Sequence, residues 1–237
     1  MKRPDGRSNE EFRTVEARVD VVSRADGSAL FAFGNSKAIV SVYGPRQLYP
    51  QHLQNPERCL LRCYYDLASF SVPERKRPGP TRRSIEISYV MTKALEPAIK
   101  LEAFPNSVID VYALIIDSDA STRCAAINAA SLALANAGVP MKELVSAVSV
   151  GKLGNELVVD LTKEEEDFKV IKEGEEQKTT DIPIAFLSRS KKISLLQLDG
   201  KISAEELFKA IELGKKACLK ISKIQERTLK KIKNIKK

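Results

Sequence analysis

The stretch that decides the fold of this chain lies at residues 117–135 and reads DSDASTRCAAINAASLALA. The segment before it, residues 107–117, is rich in β-branched residues and predicts a strand. The stretch begins with acidic and small polar residues and then becomes alanine-rich. This predicts a helix that ends near Gly138, with Pro140 just beyond it. A strand that leads into a helix thus stands at the centre of the chain, and a single arginine, Arg123, lies at the start of that helix.

On the amino-terminal side, alternating apolar residues predict a small antiparallel meander. Its three strands are predicted at TVEARVDVV, ALFAF and AIVSVY, separated by turns at RADGS and GNSK. The segment CLLRCYYDLA predicts another strand. From Ser84 onward the apolar residues recur at helical spacing, and Pro97 is expected to end or kink that helix.

The carboxy-terminal side repeats this plan. Strands are predicted at LVSAVSVGKL, ELVVDL, IPIAFL and KISLLQLDG, with a charged, exposed segment between the second and the third. A helix follows, and Ser203 with Glu206 fits a capping box at its start. Each half is several strands followed by a helix, which predicts an α+β fold of two largely antiparallel sheet units, each covered by helices. We expect the units at residues 1–140 and 141–237.

The composition is that of a basic globular protein. The chain has 237 residues, of which 43% are apolar, and 39 basic against 31 acidic residues give a net charge of +8. Such a surface favours polyanions, of which nucleic acid is the commonest. A basic protein without a polyanionic partner remains the alternative.

Cellular location is also predicted from the sequence. The four cysteines are scattered without a C-x-x-C pair and there is one histidine, so a zinc site is not expected. The first residues lack the apolar region of a signal peptide, and no run of about 18 apolar residues predicts a membrane span. We therefore expect a cytoplasmic protein with reduced thiols and no membrane partner.

Basic residues surround a stiff segment at residues 75–83, RKRPGPTRR. The planar guanidinium fork of arginine matches phosphate, so Arg82 and Arg83 are candidates to bind successive phosphates of an RNA backbone. Proline would lower the entropy that the loop loses on binding. The alternative is a solvated surface loop.

The start of the central helix is a candidate anion site. A helix N-terminus presents unpaired N–H groups and a partial positive charge. Ser121 and Thr122 add hydroxyl donors there and Arg123 adds a full charge, which together suit a bound phosphate. The alternative is an ordinary helix cap with an arginine that faces water.

Two acidic residues are candidates for chemistry. Asp181 lies where the charged segment enters an apolar strand, and a carboxylate there could protonate a leaving group or hold a divalent ion. Asp167, at the start of the charged segment, is the second candidate. A turn residue and a solvated charge run are the respective alternatives.

Taken together, these segments resemble the RNase PH-type subunits of the archaeal exosome, and most closely the catalytic member of that ring. The blocks that carry the resemblance cover nearly the whole chain: RPDGR, ADGSA, GNSKA, VYGPR, HLQNPERCLLRCYY, FSVPERKRPGPTRR, ALEPA, FPNSVIDV, TRCAAINAASLALA and LLQLDG. The resemblance implies an RNase PH-like fold and a phosphorolytic 3′→5′ exoribonuclease. Such an enzyme uses inorganic phosphate to release nucleoside diphosphates from single-stranded RNA.

The resemblance also implies roles and partners. Ser121, Thr122 and Arg123 would hold the attacking phosphate, Arg82 and Arg83 would bind RNA, and Mg²⁺ could lie near the carboxylates. Asp181 would be the acid that assists the leaving oxygen. The partners would be an inactive RNase PH-like paralogue in a hexameric ring and RNA-binding cap subunits. A scaffold subunit that binds RNA without cleaving it is the alternative.

Three positions depart from the family pattern. Ser121 stands where the family usually has glycine, and Ser84 where it tends to have glutamate. The family places a second carboxylate six residues before the position of Asp181. Here Asp167 is fourteen residues before it, which indicates an insertion of about eight residues. If that insertion loops out, Asp167 would still reach the site.

Overall fold

The computed structural model describes residues 3–74, 76–172 and 175–233. Arg75 of the basic loop and residues 234–237 of the expected basic tail lie outside this part of the chain.

The first sheet has five strands in the order β1-β2-β3-β5-β4. Their bounds are β1 Val15–Val19, β2 Gly27–Phe33, β3 Ser36–Gln47, β4 Leu60–Leu67 and β5 Ser107–Asp117. The predicted meander is confirmed, because β1, β2 and β3 pair antiparallel in sequence order. The largely antiparallel prediction has one exception: β4 pairs with β5 in parallel. A parallel pair needs a crossover connection, and helix α1 (Arg82–Leu95) supplies it.

The second sheet has four antiparallel strands in the order β11-β10-β6-β7. Their bounds are β6 Val145–Leu153, β7 Glu156–Val159, β10 Thr180–Leu187 and β11 Ile193–Leu196. Helix α4 spans Ala204–Lys233 and packs on β6 and β10. The predicted capping box is present, since the Ser203 hydroxyl accepts from the Glu206 amide and the Glu206 carboxylate accepts from the Ser203 amide.

Helix α2 (Thr122–Asn136) joins the two sheets into one core, because it packs against strands of both. Every residue from Thr122 to Leu134 except Arg123 is buried, as expected of a helix with apolar contacts on all sides. Its small residues permit very close packing. A Cβ on Gly27 of β2 would lie 2.3 Å from the backbone nitrogen of Ala137, just past the end of the helix.

Helix α1 begins earlier than the apolar spacing predicts. It starts at Arg82, so Arg82 and Arg83 lie in its first turn and not in the loop before it. Thr81 is the N-cap and forms a reciprocal capping box with Ser84. Ser84 therefore does the capping work that a glutamate usually does at this position. The helix ends at Leu95, before Pro97, as predicted.

The charged segment contains a short helix and a hairpin. Helix α3 spans Lys163–Glu166, and β8 (Lys169–Lys172) pairs antiparallel with β9 (Glu175–Lys178). The Thr179 hydroxyl lies 2.8 Å from the carbonyl oxygen of Glu165 and 3.0 Å from that of Phe168. The inserted residues therefore loop out as a hairpin, and the chain resumes beside the point where it left.

In the part of the chain that the structure describes, no helix is long and apolar enough to cross a bilayer.

Candidate active site

The loop that leads into α2 has an uncommon backbone. Ala120 and Ser121 are consecutive non-glycine residues with φ of 55° and 53°, in the left-handed region that favours glycine. The Ser36 hydroxyl donates to the carbonyl oxygen of Ala120 at a distance of 2.5 Å, and it accepts from the amide of Asp119 at 2.9 Å. The left-handed conformation explains why a family glycine suits position 121.

Ser121 and Thr122 use their hydroxyls differently. The Ser121 hydroxyl donates to the carbonyl oxygen of Leu161 at 3.2 Å, so it fastens the loop and does not face a ligand. The Thr122 oxygen lies 2.9 Å from the hydroxyl of Tyr65, which is buried on β4. Thr122 also lines the cleft described below. Of the two predicted hydroxyl donors, only Thr122 is therefore placed to meet a bound anion.

Arg123 lies in the first turn of α2, and its guanidinium donates to the side-chain oxygen of Gln197. The side-chain nitrogen of Gln197 in turn donates to Glu86 of α1 at 3.1 Å, and its backbone amide donates to Pro183 at 3.1 Å. This glutamine thus connects Arg123 with helix α1 and with strand β10 of the second sheet. Sequence reasoning missed it, although it belongs to the LLQLDG block.

Asp181 lies near the start of β10, where its backbone exchanges two hydrogen bonds of 2.9 Å with Asp199. Its carboxylate accepts a hydrogen bond from the Ser149 hydroxyl. Burial raises the pKa of the Asp181 carboxyl, and the negative charges of Glu166 and Asp199 act in the same direction. The Ser149 hydrogen bond and the charge of Arg123 oppose that rise without cancelling it. A carboxyl with a raised pKa is suited to donate a proton.

A cleft of about 270 Å³ lies beside the mouth of α2. It is lined by Leu67, Val72, Lys76, Thr81, Arg83, Ser118, Ala120, Thr122, Lys163 and Glu166. Three separate chain segments therefore converge there: the basic loop with the start of α1, the loop before α2, and α3. Arg83 lines the cleft, whereas Arg82 is exposed on the same helical turn and is not among the lining residues.

The second predicted acidic residue, Asp167, lies directly after α3. Its side chain is 64% exposed and pairs at 2.7 Å with Lys163, which itself lines the cleft. The neighbouring Glu166 lines the cleft and interacts electrostatically with Asp181. Asp167 therefore stays the predicted second carboxylate, and Glu166 is a further candidate beside it.

Mg²⁺ is usually held by one or two carboxylates together with substrate phosphates and water, so the predicted acidic pair stays a prediction for this ion. Asp167 is engaged with Lys163, and Asp181 accepts from Ser149. Within the described ranges, no group of three His, Cys, Asp or Glu side chains has the arrangement of a metal site.

The amino-terminal arm holds the site together. Arg13 donates to the buried Asp160 carboxylate from its amide and its guanidinium, at 2.7 to 2.8 Å, and to the carbonyl oxygen of Asp119 at 2.6 Å. Asp119 also accepts from the amide of Lys163 at 2.8 Å. One arginine therefore connects the loop before α2 with the segment that carries Glu166. No spacing pattern in the sequence predicts this contact.

These positions combine cationic and acidic groups around one cleft. Arg83, Lys76 and the amide end of α2 can attract an anion, and Glu166 supplies a carboxyl group to the cleft. Asp181 and Arg123 do not line the cleft, but Asp181 interacts electrostatically with both Glu166 and Arg123. Such a site can align two anionic groups and deliver a proton to one leaving oxygen.

Comparison with family models gives two adjoining matches. Residues 11–140 match domain 1 of the 3′ exoribonuclease family (RNase PH), and residues 143–217 match domain 2 of the same family.

Proteins of similar sequence support the same family. The chain is 47% identical over 229 residues to the exosome complex component Rrp41 of Pyrococcus furiosus, covering 97% of this chain and 88% of that protein. It is 46% identical over 230 residues to the component of the same name from Archaeoglobus fulgidus, covering 96% and 86%.

Two solved structures share the fold. Rice Rrp46 superposes with a TM-score of 0.84 at 27% identity, covering 96% of this chain and 100% of that one. A chain of the Archaeoglobus fulgidus exosome with RNA bound to the active site superposes with a TM-score of 0.78 at 23% identity, covering 94% and 92%. The RNase PH-like fold prediction is thus confirmed.

Proposed function

The chain belongs to the 3′ exoribonuclease family through both of its domains, and on this premise we propose that it is the catalytic subunit of an archaeal exosome ring. In this role it is a phosphorolytic 3′→5′ exoribonuclease that shortens single-stranded RNA and releases nucleoside diphosphates. The observation that carries the proposal is the cleft in which Arg83, Thr122 and Glu166 meet.

Phosphate is the co-substrate of the reaction. Its oxygen attacks the phosphorus of the last phosphodiester, a new P–O bond forms, and the terminal nucleotide leaves as a nucleoside diphosphate. The bond that breaks joins this phosphorus to the 3′ oxygen of the preceding ribose, which takes up a proton. Two anions must approach each other, so the site must neutralise both of them.

We assign the phosphate to the mouth of α2. Several hydrogen-bond donors are available there to an anion: the amides of residues 121 and 122, the Thr122 hydroxyl and the Arg123 guanidinium. Ser121 contributes its backbone, since its hydroxyl is used by Leu161. Gln197 holds Arg123 so that the guanidinium need not be ordered when phosphate arrives.

We assign the proton donor to Asp181. Its raised pKa increases the protonated fraction available for the leaving oxygen. Arg82 and Arg83 contact backbone phosphates of the RNA that enters beside α1. No step is assigned to Mg²⁺; if the ion binds, Asp181 and Asp167 would hold it together with substrate phosphates and water.

The proposed assembly is a hexameric ring in which this chain alternates with an inactive RNase PH-like paralogue, with RNA-binding cap subunits on one face. The test is reconstitution of that ring with the paralogue from the same source. Nucleoside diphosphate release from an end-labelled single-stranded RNA is measured with and without inorganic phosphate.

Release should require phosphate and should fall by about 10²- to 10⁴-fold in Asp181→Asn, the usual range for a lost general acid. The exposed Glu102→Gln removes a carboxylate that does not line the cleft, so it is the control and should behave as the parent chain. A ring that binds RNA and releases nothing under any phosphate concentration would make this chain the scaffold subunit instead.

A further inference from the structure

Tyr65 and Thr122 form a buried pair beneath the mouth of α2. Tyr65 is 3% exposed and Thr122 is 6% exposed, and their oxygens lie 2.9 Å apart. Tyr65 belongs to β4 of the first sheet, whereas Thr122 is the first residue of α2. The neighbouring Tyr64 points to the other face of the same strand and is 43% exposed. The pair therefore connects strand β4 directly with the first residue of α2.

The direction of this hydrogen bond follows from its burial. Each hydroxyl has one proton to donate. In the described ranges, no other hydrogen-bond partner is found for the Tyr65 hydroxyl. If Thr122 donated to Tyr65, the phenol proton would be buried without an acceptor, which is costly. Tyr65 is therefore the donor and Thr122 the acceptor.

The phenol keeps its proton over the working pH range. Burial raises the pKa of Tyr65 to about 12, although the hydrogen bond to Thr122 and the charges of Arg83 and Arg123 act to lower it. Arg83 lines the cleft and Arg123 lies in the first turn of α2, so Tyr65 lies within the field of both cationic side chains. A protonated phenol at this place acts as a fixed donor.

We propose that Tyr65 is a positioning residue that sets the direction of the Thr122 hydroxyl. Because the Thr122 oxygen accepts from the phenol, its own proton is left to point into the cleft that it lines. Donors linked in series also polarise one another, which strengthens the last bond of the series. The acceptor of that bond is the attacking phosphate, so this inference rests on the proposed function.

The test is a double-mutant cycle in the reconstituted ring, with inorganic phosphate as the varied substrate. Tyr65→Phe removes the phenol oxygen and keeps the aromatic side chain in place. We expect the KM for phosphate to rise by about 5- to 10-fold, the size of one lost hydrogen bond, with RNA affinity unchanged. Thr122→Val should raise it at least as much, and Thr122→Ser should restore it. The matched control, Tyr64→Phe, removes a phenol hydroxyl on the opposite face of β4 and should leave the KM for phosphate unchanged.

The double variant decides the question. If Tyr65 acts through Thr122, Tyr65→Phe adds nothing in the Thr122→Val background, whereas independent effects would multiply and would overturn the proposal. An unchanged KM in Tyr65→Phe, with the parent ring active, would also overturn it. An inactive parent ring is a different outcome and rejects the proposed function itself.

A second substitution covers the case in which Tyr65→Phe does not assemble. A difluorotyrosine at position 65 has a lower phenol pKa and loses its donor at alkaline pH. The KM for phosphate should then rise with pH in this variant and not in the parent ring. Identical pH profiles would reject the positioning role.

Discussion

Replacing Ala120 by glycine should stabilise the chain, although it removes a side chain. Ala120 has a φ of 55° and its side chain makes no hydrogen bond. The left-handed conformation costs an L-residue about 1–2 kcal/mol, and glycine loses about 0.5–1 kcal/mol more backbone entropy on folding. The difference predicts that the free energy of unfolding rises by up to about 1.5 kcal/mol.

Ser121→Gly serves as the internal comparison. Ser121 has a φ of 53°, so glycine there removes the same backbone strain, but the variant also loses the 3.2 Å hydrogen bond to Leu161. That bond contributes about 0.5–1.5 kcal/mol, so the two effects should nearly cancel and leave stability close to that of the parent chain. The gap between the two variants then measures the hydrogen bond.

The assay is urea denaturation of the purified chain, followed by circular dichroism and checked by thermal unfolding. For a chain of this size, 1 kcal/mol corresponds to a change in Tm of about 2–4 °C. An Ala120→Gly variant that is less stable than the parent would refute the reasoning, since it would mean that the loop stores no backbone strain.

Three further predictions concern the site. Asp181→Asn should raise the free energy of unfolding at neutral pH, because burial raises the pKa of this carboxyl and so disfavours its ionised form in the folded state. The gain should disappear in denaturation curves recorded below the ordinary carboxyl pKa of 3.8, and a gain that persists there would have another cause. Arg82→Glu combined with Arg83→Glu should weaken single-stranded RNA binding and reduce its salt dependence in filter-binding titrations. Unchanged binding would mean that neither arginine contacts RNA. Glu166→Gln should lower the pKa of Asp181 and move the alkaline limb of the pH–rate profile to lower pH, whereas Asp167→Asn should leave that limb in place.

Local signals predicted much of this molecule. The meander, the strand before residue 117 and helix α2 have clear periodicities and clear ends, so their bounds lie close to the predicted ones. The start of α1 was missed because its capping box uses Ser84 where the usual signal is glutamate or glutamine. The parallel pairing of β4 with β5 was missed because it joins segments about 48 residues apart, which periodicity does not report.

The candidate site was predictable only where its residues form contiguous blocks. Thr122 and Arg123 lie in one such block, and Asp181 precedes a strongly apolar strand. Tyr65 and Gln197 act through contacts between distant segments, and nothing in their immediate sequence marks them. Proximity of this kind is a property of the packed chain and not of any one segment.

The hairpin of β8 and β9 has a practical consequence. The Thr179 hydroxyl donates to the carbonyl oxygens of Glu165 and Phe168. The chain therefore leaves α3 and enters β10 at nearly the same place. Length added or removed between those points does not change the separation of Glu166 from β10. A fluorophore or an affinity peptide can therefore be inserted in this hairpin without moving Glu166 relative to β10.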